Sequence, residues 1–464
     1  MDPVFDDLLD LDNGTISGAI FTDEKIYQEE LAQVFARSWL FLAHDTMIPK
    51  AGDFLQQYMG EDPVVVVRQK DGSIAAFLNQ CTHRGMRICR ADKGNAKAFM
   101  CSFHGWGYDL SGNLTHVPHE DVAYPVGTLD KSQWGARRVP RITNYKGFIF
   151  GTWDLEAPEF VDYLGEMAWY FDGYIDRYEG GMEAIAVHKW VIPANWKFNA
   201  EQPASDMYHA EVSHASAMQV MNRNVQQKMG DNEFNREGLY EVSPGQQFTS
   251  PLGHGSGWFD RRIGSLSLNP EIADWENSRR DETLERLGER RALSVRGHGN
   301  IFPNFMFLMN NTFRVTHPRG PGEMEIWAWT LVPKAAPDEV KEQYRINVLR
   351  TFSPGGMFEQ DDAENWLEIQ RILRGHMARK GRLNYRMQLG ATARDVDDLP
   401  GLTTPHCYSD AGARGLYRHW ARLLSGMTWA EIMRLADEAE GLDHEPTAAD
   451  ALGQLHAARE ESRG

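Results

Sequence analysis

One short segment of this chain gathers the kinds of side chain that hold catalytic metal ions. It runs from Asn195 to His214 and also contains Glu201, Asp206 and His209. Positions three apart share a face of a helix, so Asp206 and His209 can point the same way. His214 follows five residues after His209, and at roughly 100° per residue a regular helix would carry it to another face. We therefore expect a bend, a π-bulge or a helix end between the two histidines, as is common at functional sites.

A third ligand is needed before this segment can support oxygen chemistry. Iron(II) sites that react with dioxygen use two histidines and one carboxylate on one face, which leaves the opposite positions open. The best candidate is Asp362, which lies 148 residues after His214 beside Asp361 in the acidic run GGMFEQDDAENW. The alternative is that the histidines are ordinary surface or core residues and that the acidic run is a solvated helix start.

Two cysteine–histidine pairs form a second candidate metal site. Cys81 and His83 form a C-x-H pair, and after 17 intervening residues Cys101 and His104 form C-x-x-H. A Rieske [2Fe-2S] centre needs two thiolates on one iron and two imidazoles on the other, and each pair supplies one of each. Structural zinc is the alternative, although zinc fingers pair cysteine with cysteine at the first knuckle. Cys89 lies outside the pattern and is expected to be a buried thiol.

Composition excludes several classes of function. A chain of 464 residues with 42% hydrophobic and 25% charged residues can form two or three domains with a sizeable core. The net charge of -18 argues against nucleic acid or an anionic membrane as a partner. The N-terminus is acidic, unlike a signal peptide, and no apolar run approaches the roughly 18 residues of a membrane span, so we expect a cytoplasmic protein. The four cysteines are too few for a disulfide scaffold and favour a reducing compartment.

The patterns of apolar residues predict three regions that position these sites. Residues 1–40 form an acidic arm and a helix that packs on the catalytic domain, the helical spacing covering DEKIYQEELAQVFARSWLFL. Residues 41–156 contain short strands such as PVVVVRQ, SIAAFLN, AFMC and GFIFGTW, with turns at Asp71-Gly72 and Ser111-Gly112-Asn113. This is the pattern of a small antiparallel β domain.

Residues 157–464 predict a mixed domain with a partly mobile tail. A strand in MEAIAVHKWVIP leads into the histidine segment, and later strands are expected in SLSL, NFMFLMNNTFRVTHP and MEIWAWTLVP. Helices are expected over Asp338–Phe352 and from about Gly356 to Gly375. The tail from about Thr428 is charged, rich in alanine and partly helical by pattern, and its end is expected to be mobile.

The quoted segments together resemble the large (alpha) subunits of Rieske non-heme iron aromatic ring-hydroxylating dioxygenases. The resemblance rests on CTHRGMR, CSFHGWGYDLSGNL, the NWK...D-x-Y-H-x-x-x-x-H segment and FEQDDAENW, and it covers nearly the whole chain. It implies an α+β fold, in which a small antiparallel β Rieske domain precedes a catalytic domain with an antiparallel sheet flanked by helices, helix-grip-like. The implied cluster ligands are Cys81, His83, Cys101 and His104, and the implied iron ligands are His209, His214 and Asp362.

Two roles and the pocket residues His298 and Asn300 follow from the resemblance, whereas the other pocket residues are proposed because they flank the ligand segments. Asp206 matches the aspartate that joins a Rieske histidine to an iron-ligating histidine across a subunit boundary, and Trp106 should shield the cluster from water. The candidate substrate pocket contains Gln202, Phe352, Phe358, His298 and Asn300, with Met207, Met218 and Met221 as adaptable apolar neighbours. Where the family often has asparagine, this chain has Gln202 followed by Pro203.

The implied function is a terminal oxygenase that cis-dihydroxylates an aromatic ring with O2. No G-x-G-x-x-G opens a helix, and Gly253–Gly257 is expected to be a loop of the wrong form, so electrons from NAD(P)H should arrive through a separate reductase or ferredoxin. The implied partners also include a small beta subunit in an α3β3 or α3 assembly. We expect an uncharged aromatic hydrocarbon substrate, bicyclic or larger. The alternatives are an aromatic-carboxylate dioxygenase using Arg261 and Arg262, a Rieske monooxygenase or demethylase, and an electron carrier without the second iron.

Overall fold

The computed structural model describes residues 8–220, 245–259, 269–293, 297–309, 311–394, 399–440, 442 and 444–446. The predicted strand at 265–268, Met221, the two arginines Arg261 and Arg262, and the end of the tail lie outside these residues. The chain forms two compact units, one built from residues up to Val34 together with those from Pro158 onward, and one built from Phe35–Ala157. Among the described residues, no helix combines the length and apolar character needed to cross a bilayer.

The smaller unit consists of three antiparallel sheets around the two cysteine loops. Its strands, in the order in which they pair, are Ile74–Leu78, Asp62–Arg68, Asp53–Met59 and Lys93–Asn95; then Leu114–His116, Gly107–Tyr108 and Phe99–Met100; then Arg141–Tyr145, Phe148–Thr152 and Leu40–His44. Short helical turns lie at Asp45–Met47, Glu120–Ala123 and Lys131–Gln133. The four valines from Val64 to Val67 are all buried, as expected for a strand covered on both faces.

The helix predicted over residues 23–42 is only partly correct. An α-helix spans Glu24–Glu29 and continues as a π-helix over Glu30–Phe35, but Leu40–His44 is a strand paired with Phe148–Thr152. Every residue of that strand is buried, and an uninterrupted apolar run suits a strand covered on both faces better than one stripe of a helix.

The larger unit is organised on one antiparallel sheet of nine strands. In spatial order they are Met182–Ile192, Met324–Pro333, Thr312–Pro318, Phe305–Leu308, Gly299–Ile301, Gly255–Phe259, Gly245–Thr249, Leu402–Thr403 and Ala393–Arg394. A separate small sheet joins Leu9–Asp10, Thr15–Ser17 and Arg382–Asn384. The predicted strands of the hairpin NFMFLMNNTFRVTHP and of MEIWAWTLVP are therefore present.

Helices flank this sheet, so the predicted α+β class is confirmed. Besides Glu24–Glu29 and Glu30–Phe35, the helices described in the larger unit are Gly18–Phe21, Phe160–Leu164, Met167–Ile175, Trp196–Ser205, Ala210–Ser213, Pro270–Ser278, Arg280–Leu293, Asp338–Thr351, Met357–Leu373, Ala378–Lys380, Ala411–Leu424 and Trp429–Glu440. The two predicted helices near residues 338 and 356 end within two residues of their expected bounds. Helix Ala411–Leu424 packs against Trp196–Ser205 and against strands Gly245–Thr249 and Gly255–Phe259.

Glycines allow the helix Trp196–Ser205 to lie close to the sheet. Gly255–Phe259 is a strand, so the expectation of a loop at Gly253–Gly257 is wrong for most of that segment. A Cβ atom at Gly255 would lie 2.8 Å from the carbonyl oxygen of Ala204, and one at Gly257 would lie 2.8 Å from Met207 Cγ. A strand glycine commonly marks such a close backbone approach.

A buried carboxylate connects the N-terminal helix to the rest of the larger unit. Glu30 is fully buried and accepts hydrogen bonds from Trp196 Nε1 at 2.8 Å, Lys197 Nζ at 2.5 Å and Trp420 Nε1 at 2.8 Å. Removing one member of a buried ion pair leaves an uncompensated charge, so this contact fixes the arm firmly in place.

Candidate metal centres

The histidine segment folds as two helices with a break before His209. Helix Trp196–Ser205 begins at Asn195, whose side chain accepts from the backbone N–H of Lys197 at 3.0 Å. It ends at Asp206, which leaves helical geometry and forms an isolated antiparallel bridge with Tyr408. The short helix Ala210–Ser213 then lies between the two histidines. The helix end expected between the two histidines is present, since this helix stops at Ser213 and His214 lies outside helical geometry. A further break precedes His209, where Asp206 pairs with Tyr408 instead of continuing the first helix.

His209, His214 and Asp362 converge on one point. Their ligand atoms all lie within 4.8 Å of one another. The Nε2 atoms of the histidines are 3.2 Å apart, and Asp362 Oδ1 lies 3.2 Å from the first and 3.3 Å from the second. This nearly equilateral triangle is brought together by the histidine segment and by helix Met357–Leu373, where Asp362 faces inward.

The triangle fits three donors on one metal ion. Two donors at right angles on a metal, with bonds of about 2.0–2.2 Å, lie about 3 Å apart, close to the separations seen here. Asp362 Oδ1 is buried and accepts no well-formed hydrogen bond from any described residue. A buried carboxylate oxygen without a partner is costly, and a metal ion would satisfy it. Two imidazoles and one carboxylate suit iron(II) with open positions opposite.

A second carboxylate lies behind each histidine. Asp206 Oδ1 is 3.3 Å from His209 Nδ1, and Asp361 Oδ2 is 3.1 Å from His214 Nδ1. Asp206 also accepts from the backbone N–H of His209 at 3.1 Å. A carboxylate that holds Nδ1–H fixes the tautomer in which Nε2 carries the lone pair for a metal. Asp361 is the sequence neighbour of Asp362, but its contact is with the outer nitrogen of His214.

The charges within the cluster perturb each other strongly. Burial disfavours the charged form of His209, but the nearby carboxylates of Asp206 and Asp362 raise its pKa to about 10. Burial opposes ionisation of Asp362 too, yet the two histidines hold its pKa well below the usual range. Both shifts are those of an ionised carboxylate beside positive charge.

Apolar residues predicted to line a pocket lie beside His214. Phe358 and His214 have ring centroids 4.8 Å apart, and Phe352 lies 5.6 Å from Phe358 and 5.7 Å from His298. Phe352 and Phe358 belong to a hydrophobic cluster whose other buried members are Ala217, Met306 and Leu308, with Met218, Met309 and Met357 partly buried against it. Burial and the charge of Arg314 lower the pKa of His298 to about 3, so its ring is neutral at pH 7.

Asn300 and Gln202 are the polar members of the predicted pocket. Asn300 is fully buried opposite Met306 in the sheet, and neither atom of its amide has a hydrogen-bond partner among the described residues. Gln202 is partly buried, with Nε2 3.5 Å from His209 Nε2 and Oε1 accepting from Trp366 Nε1 at 2.8 Å. Sequence reasoning missed Trp366, although it follows Asp362 by one helical turn and so shares its face. Met207 is buried against Gly257 rather than grouped with this cluster.

In the smaller unit, the two cysteine loops have the same local geometry. Cys81 donates its backbone N–H to Met86 and accepts from Gly85, while Cys101 donates to Trp106 and accepts from Gly105, all at 2.7–3.0 Å. Gly85 and Gly105 have φ of +77° and +72°, the left-handed region that glycine adopts without a steric cost. Each loop therefore presents a thiol and an imidazole in the same way.

The four side chains separate into a sulfur pair and a nitrogen pair. The buried thiols of Cys81 and Cys101 contact each other without forming a disulfide. His83 Nδ1 and His104 Nδ1 are 3.1 Å apart, again about the separation of two donors on one metal ion with bonds of about 2.0–2.1 Å. Two thiolates on one side and two imidazoles on the other is the donor arrangement of a Rieske cluster.

Two aromatic side chains contact the candidate cluster ligands directly, one by stacking and one by a hydrogen bond. The buried Trp106 stacks on His83 with ring centroids 4.8 Å apart and an interplanar angle of 10°. Tyr108 donates its hydroxyl to Cys81 Sγ at 3.2 Å and accepts from the backbone N–H of Thr82 at 3.1 Å. His104 remains exposed at the surface of the unit. Cys89 is buried, and its backbone exchanges hydrogen bonds with Asn79.

Both sites lie within segments that match known families. A model of the Rieske [2Fe-2S] domain matches residues 38–130, and a model of the ring hydroxylating alpha subunit (catalytic domain) matches residues 167–426. The chain belongs to the ring-hydroxylating alpha-subunit family. Membership confirms the resemblance inferred from the motifs, and the two domains imply a Rieske cluster and a mononuclear iron.

Named relatives of this alpha subunit are ring dioxygenases. It is 48% identical over 439 residues to biphenyl 2,3-dioxygenase subunit alpha of Rhodococcus jostii, with 92% of each chain covered. It is 48% identical over 432 residues to benzene 1,2-dioxygenase subunit alpha of Pseudomonas putida, with 91% of this chain and 94% of the relative covered. The solved structure of naphthalene 1,2-dioxygenase with indole bound has a TM-score of 0.83 at 33% identity, covering 92% of this chain and 95% of that one.

Proposed function

We propose that this alpha subunit is the catalytic component of a terminal oxygenase that adds both atoms of O2 to neighbouring carbons of an apolar aromatic ring, giving a cis-dihydrodiol. The observation that carries the proposal is the triangle formed by His209, His214 and Asp362, in a chain that also contains a Rieske domain. Iron held by three donors on one face keeps positions open for dioxygen, and a Rieske centre supplies single electrons.

The residues beside the triangle suit a flat apolar substrate. Phe352, Phe358 and the neighbouring methionines provide an apolar wall next to His214, and apolar walls with few polar groups are typical of small-molecule sites. His298 is neutral at pH 7, and Asn300 is an uncharged amide, so these residues place no net charge near the ring. We infer an aromatic hydrocarbon substrate, bicyclic or larger.

Electron delivery is proposed to pass through Asp206. One of its oxygens lies near His209 Nδ1, while its side chain is 44% exposed, so the carboxylate can accept a second N–H from outside the larger unit. His104 is the more accessible of the two Rieske histidines, since His83 lies under Trp106. A carboxylate between the two imidazoles would fix both tautomers and couple the centres. We assign this contact to neighbouring protomers of a closed α3 or α3β3 ring.

The remaining partners follow from the same proposal. Named relatives are themselves called subunit alpha, and we propose that a small beta subunit accompanies this chain. Electrons originate in NAD(P)H and arrive through a separate reductase or a ferredoxin.

Product analysis under labelled dioxygen tests the reaction. The purified protein, loaded with iron and supplied with a reductase and NADH, would be given naphthalene or biphenyl under 18O2. We expect a cis-diol that carries two labelled atoms. A product with one labelled atom would indicate a monooxygenase, and diol formation only from aromatic carboxylates would refute the hydrocarbon assignment.

Metal analysis tests the cofactor set independently of substrate. We expect about three irons per chain, two in the Rieske cluster and one mononuclear. Zinc in a colourless protein, or two irons with an intact Rieske spectrum, would each contradict the proposal. A control variant, His209→Ala, should lose about one iron per chain and keep the Rieske spectrum.

A further inference from the structure

We propose that Trp366 is a positioning residue, which fixes the Gln202 amide so that its NH2 group donates a hydrogen bond into the open side of the iron site. The inference rests on the proposed function, because it concerns the space that the three ligands leave free. It assigns a role to the contact between helix Trp196–Ser205 and helix Met357–Leu373, which is made by two residues 164 positions apart in the chain.

The chemistry of the indole group determines which way the amide faces. The nitrogen and oxygen of a glutamine amide look alike, so their assignment rests on the partners. An indole N–H can only donate. The amide atom at 2.8 Å from Trp366 Nε1 must therefore be Oε1, which leaves Nε2 as the atom 3.5 Å from His209 Nε2.

The amide nitrogen then needs an acceptor other than His209. A histidine nitrogen bound to a metal has no lone pair left for a hydrogen bond. An amide NH2 is not a metal ligand either, and Oε1 is already engaged by Trp366, so Gln202 does not complete the coordination of the iron. What remains is a neutral donor at the edge of the site, directed at the space where dioxygen or a hydroxyl of the product would lie. Preorganised donors of this kind stabilise charge that develops on oxygen.

The indole itself is held rigidly. Trp366 is buried at 4% exposure, and the guanidinium of Arg314 lies 5.8 Å from its ring centre. Arg314 forms a fully buried ion pair with Glu359 at 2.5 Å. Glu359 lies one turn before Asp362 and Trp366 one turn after it, so one face of helix Met357–Leu373 carries all three residues.

Two variants test the inference, one lacking the indole N–H of Trp366 and one lacking the amide of Gln202. Trp366→Phe keeps an aromatic side chain and deletes the N–H, and Gln202→Leu deletes the amide. The matched control is Trp327→Phe, since Trp327 Nε1 donates to Glu325 Oε1 at the same distance of 2.8 Å and its ring lies against His317 and Lys189. Three quantities are measured: ferrous iron affinity without oxygen, the electron spin resonance signal of the ferrous protein with nitric oxide, and the share of consumed O2 released as peroxide.

We expect Trp366→Phe and Gln202→Leu to bind ferrous iron with an affinity within about threefold of that of the native protein. In both variants the nitric oxide signal should change shape, and peroxide release should rise about tenfold. A tenfold effect is at the low end of the 10–100-fold effects known for groups that orient metal sites. The control should match the native protein in all three. An unchanged nitric oxide signal and unchanged peroxide release in Trp366→Phe would overturn the inference. A tenfold or greater loss of iron affinity in Gln202→Leu would overturn it as well, because Oε1 would then be a ligand. Failure of the native protein to form any diol would instead refute the proposed function.

Discussion

Replacing Asp361 with alanine should weaken iron binding although Asp361 is not itself a ligand. Its carboxylate lies 3.1 Å from His214 Nδ1 with a side chain 32% exposed. A hydrogen bond to a charged group contributes about 1.5–3 kcal/mol, and exposure to solvent reduces this toward the lower limit. A loss of about 1.4 kcal/mol corresponds to about a tenfold weaker affinity for ferrous iron. Alanine is the best helix former, so helix Met357–Leu373 should remain intact.

The assay is an anaerobic titration of the iron-free protein with ferrous iron against a chelator of known affinity. Glu364→Ala provides the control, because it removes one exposed carboxylate from the same helix without touching a histidine. We expect Glu364→Ala to match the native protein and Asp361→Ala to bind about tenfold more weakly. Excess ferrous iron should restore most of the activity of Asp361→Ala, since the affected step is binding. Native affinity in Asp361→Ala would show that Asp361 does not orient His214.

Asp206 offers the contrasting case. Its Oδ1 lies 3.3 Å from His209 Nδ1, a longer contact than the 3.1 Å hydrogen bond between Asp361 and His214, so Asp206→Ala should lower iron affinity by at most the same factor of about ten. If Asp206 also carries the electron path, excess iron will not restore product formation, although the visible spectrum of the Rieske cluster remains intact. Recovery of normal turnover with added iron would show that electrons do not pass through Asp206.

Three further predictions concern other contacts. Tyr108→Phe deletes a hydrogen bond to Cys81 Sγ that stabilises the more negative, reduced cluster, so the reduction potential should fall by roughly 20–60 mV in a redox titration. Arg314→Met leaves Glu359 buried without its partner and should cost about 3–5 kcal/mol in the free energy of unfolding by denaturant, and Glu359→Leu in the same chain should recover most of it. Burial raises the pKa of Glu201 from 4.5 to about 8, so the stability that this group contributes is full below about pH 4.5 and is lost as the pH rises through about 8. The melting temperature of Glu201→Gln should therefore increase relative to the native protein between pH 5 and pH 8, and a constant difference would contradict the shift.

The sequence predicted the elements whose signals are local. The strand Met182–Ile192 and the helix Met357–Leu373 follow from runs of apolar spacing. The cysteine–histidine pairs predicted a site with two thiolates and two imidazoles because the donors of each pair are close in the chain. In contrast, Leu40–His44 was predicted as the end of a helix although its apolar run favours a strand, and its partner Phe148–Thr152 follows only about a hundred residues later.

What the sequence could not supply are contacts between distant segments. Asp361 and His214 are 147 residues apart, and Trp366 and Gln202 are 164 apart. Neither pair has a local pattern, since pairing depends on how two helices are placed on the sheet. The glycines of strand Gly255–Phe259 mark that placement, but their spacing resembles a flexible loop until the helix that packs on them is known.

The position of Glu30 constrains the order in which the two units of the chain can fold during synthesis. During synthesis this acidic side chain leaves the ribosome early, whereas its partners Trp196, Lys197 and Trp420 follow 166, 167 and 390 residues later. The unit formed by Phe35–Ala157 is continuous in the chain and can fold before the partners of Glu30 have been synthesised. Closure of the larger unit around Glu30 is accordingly a late event, and a nascent chain that stops before Trp420 will leave that carboxylate without its last donor.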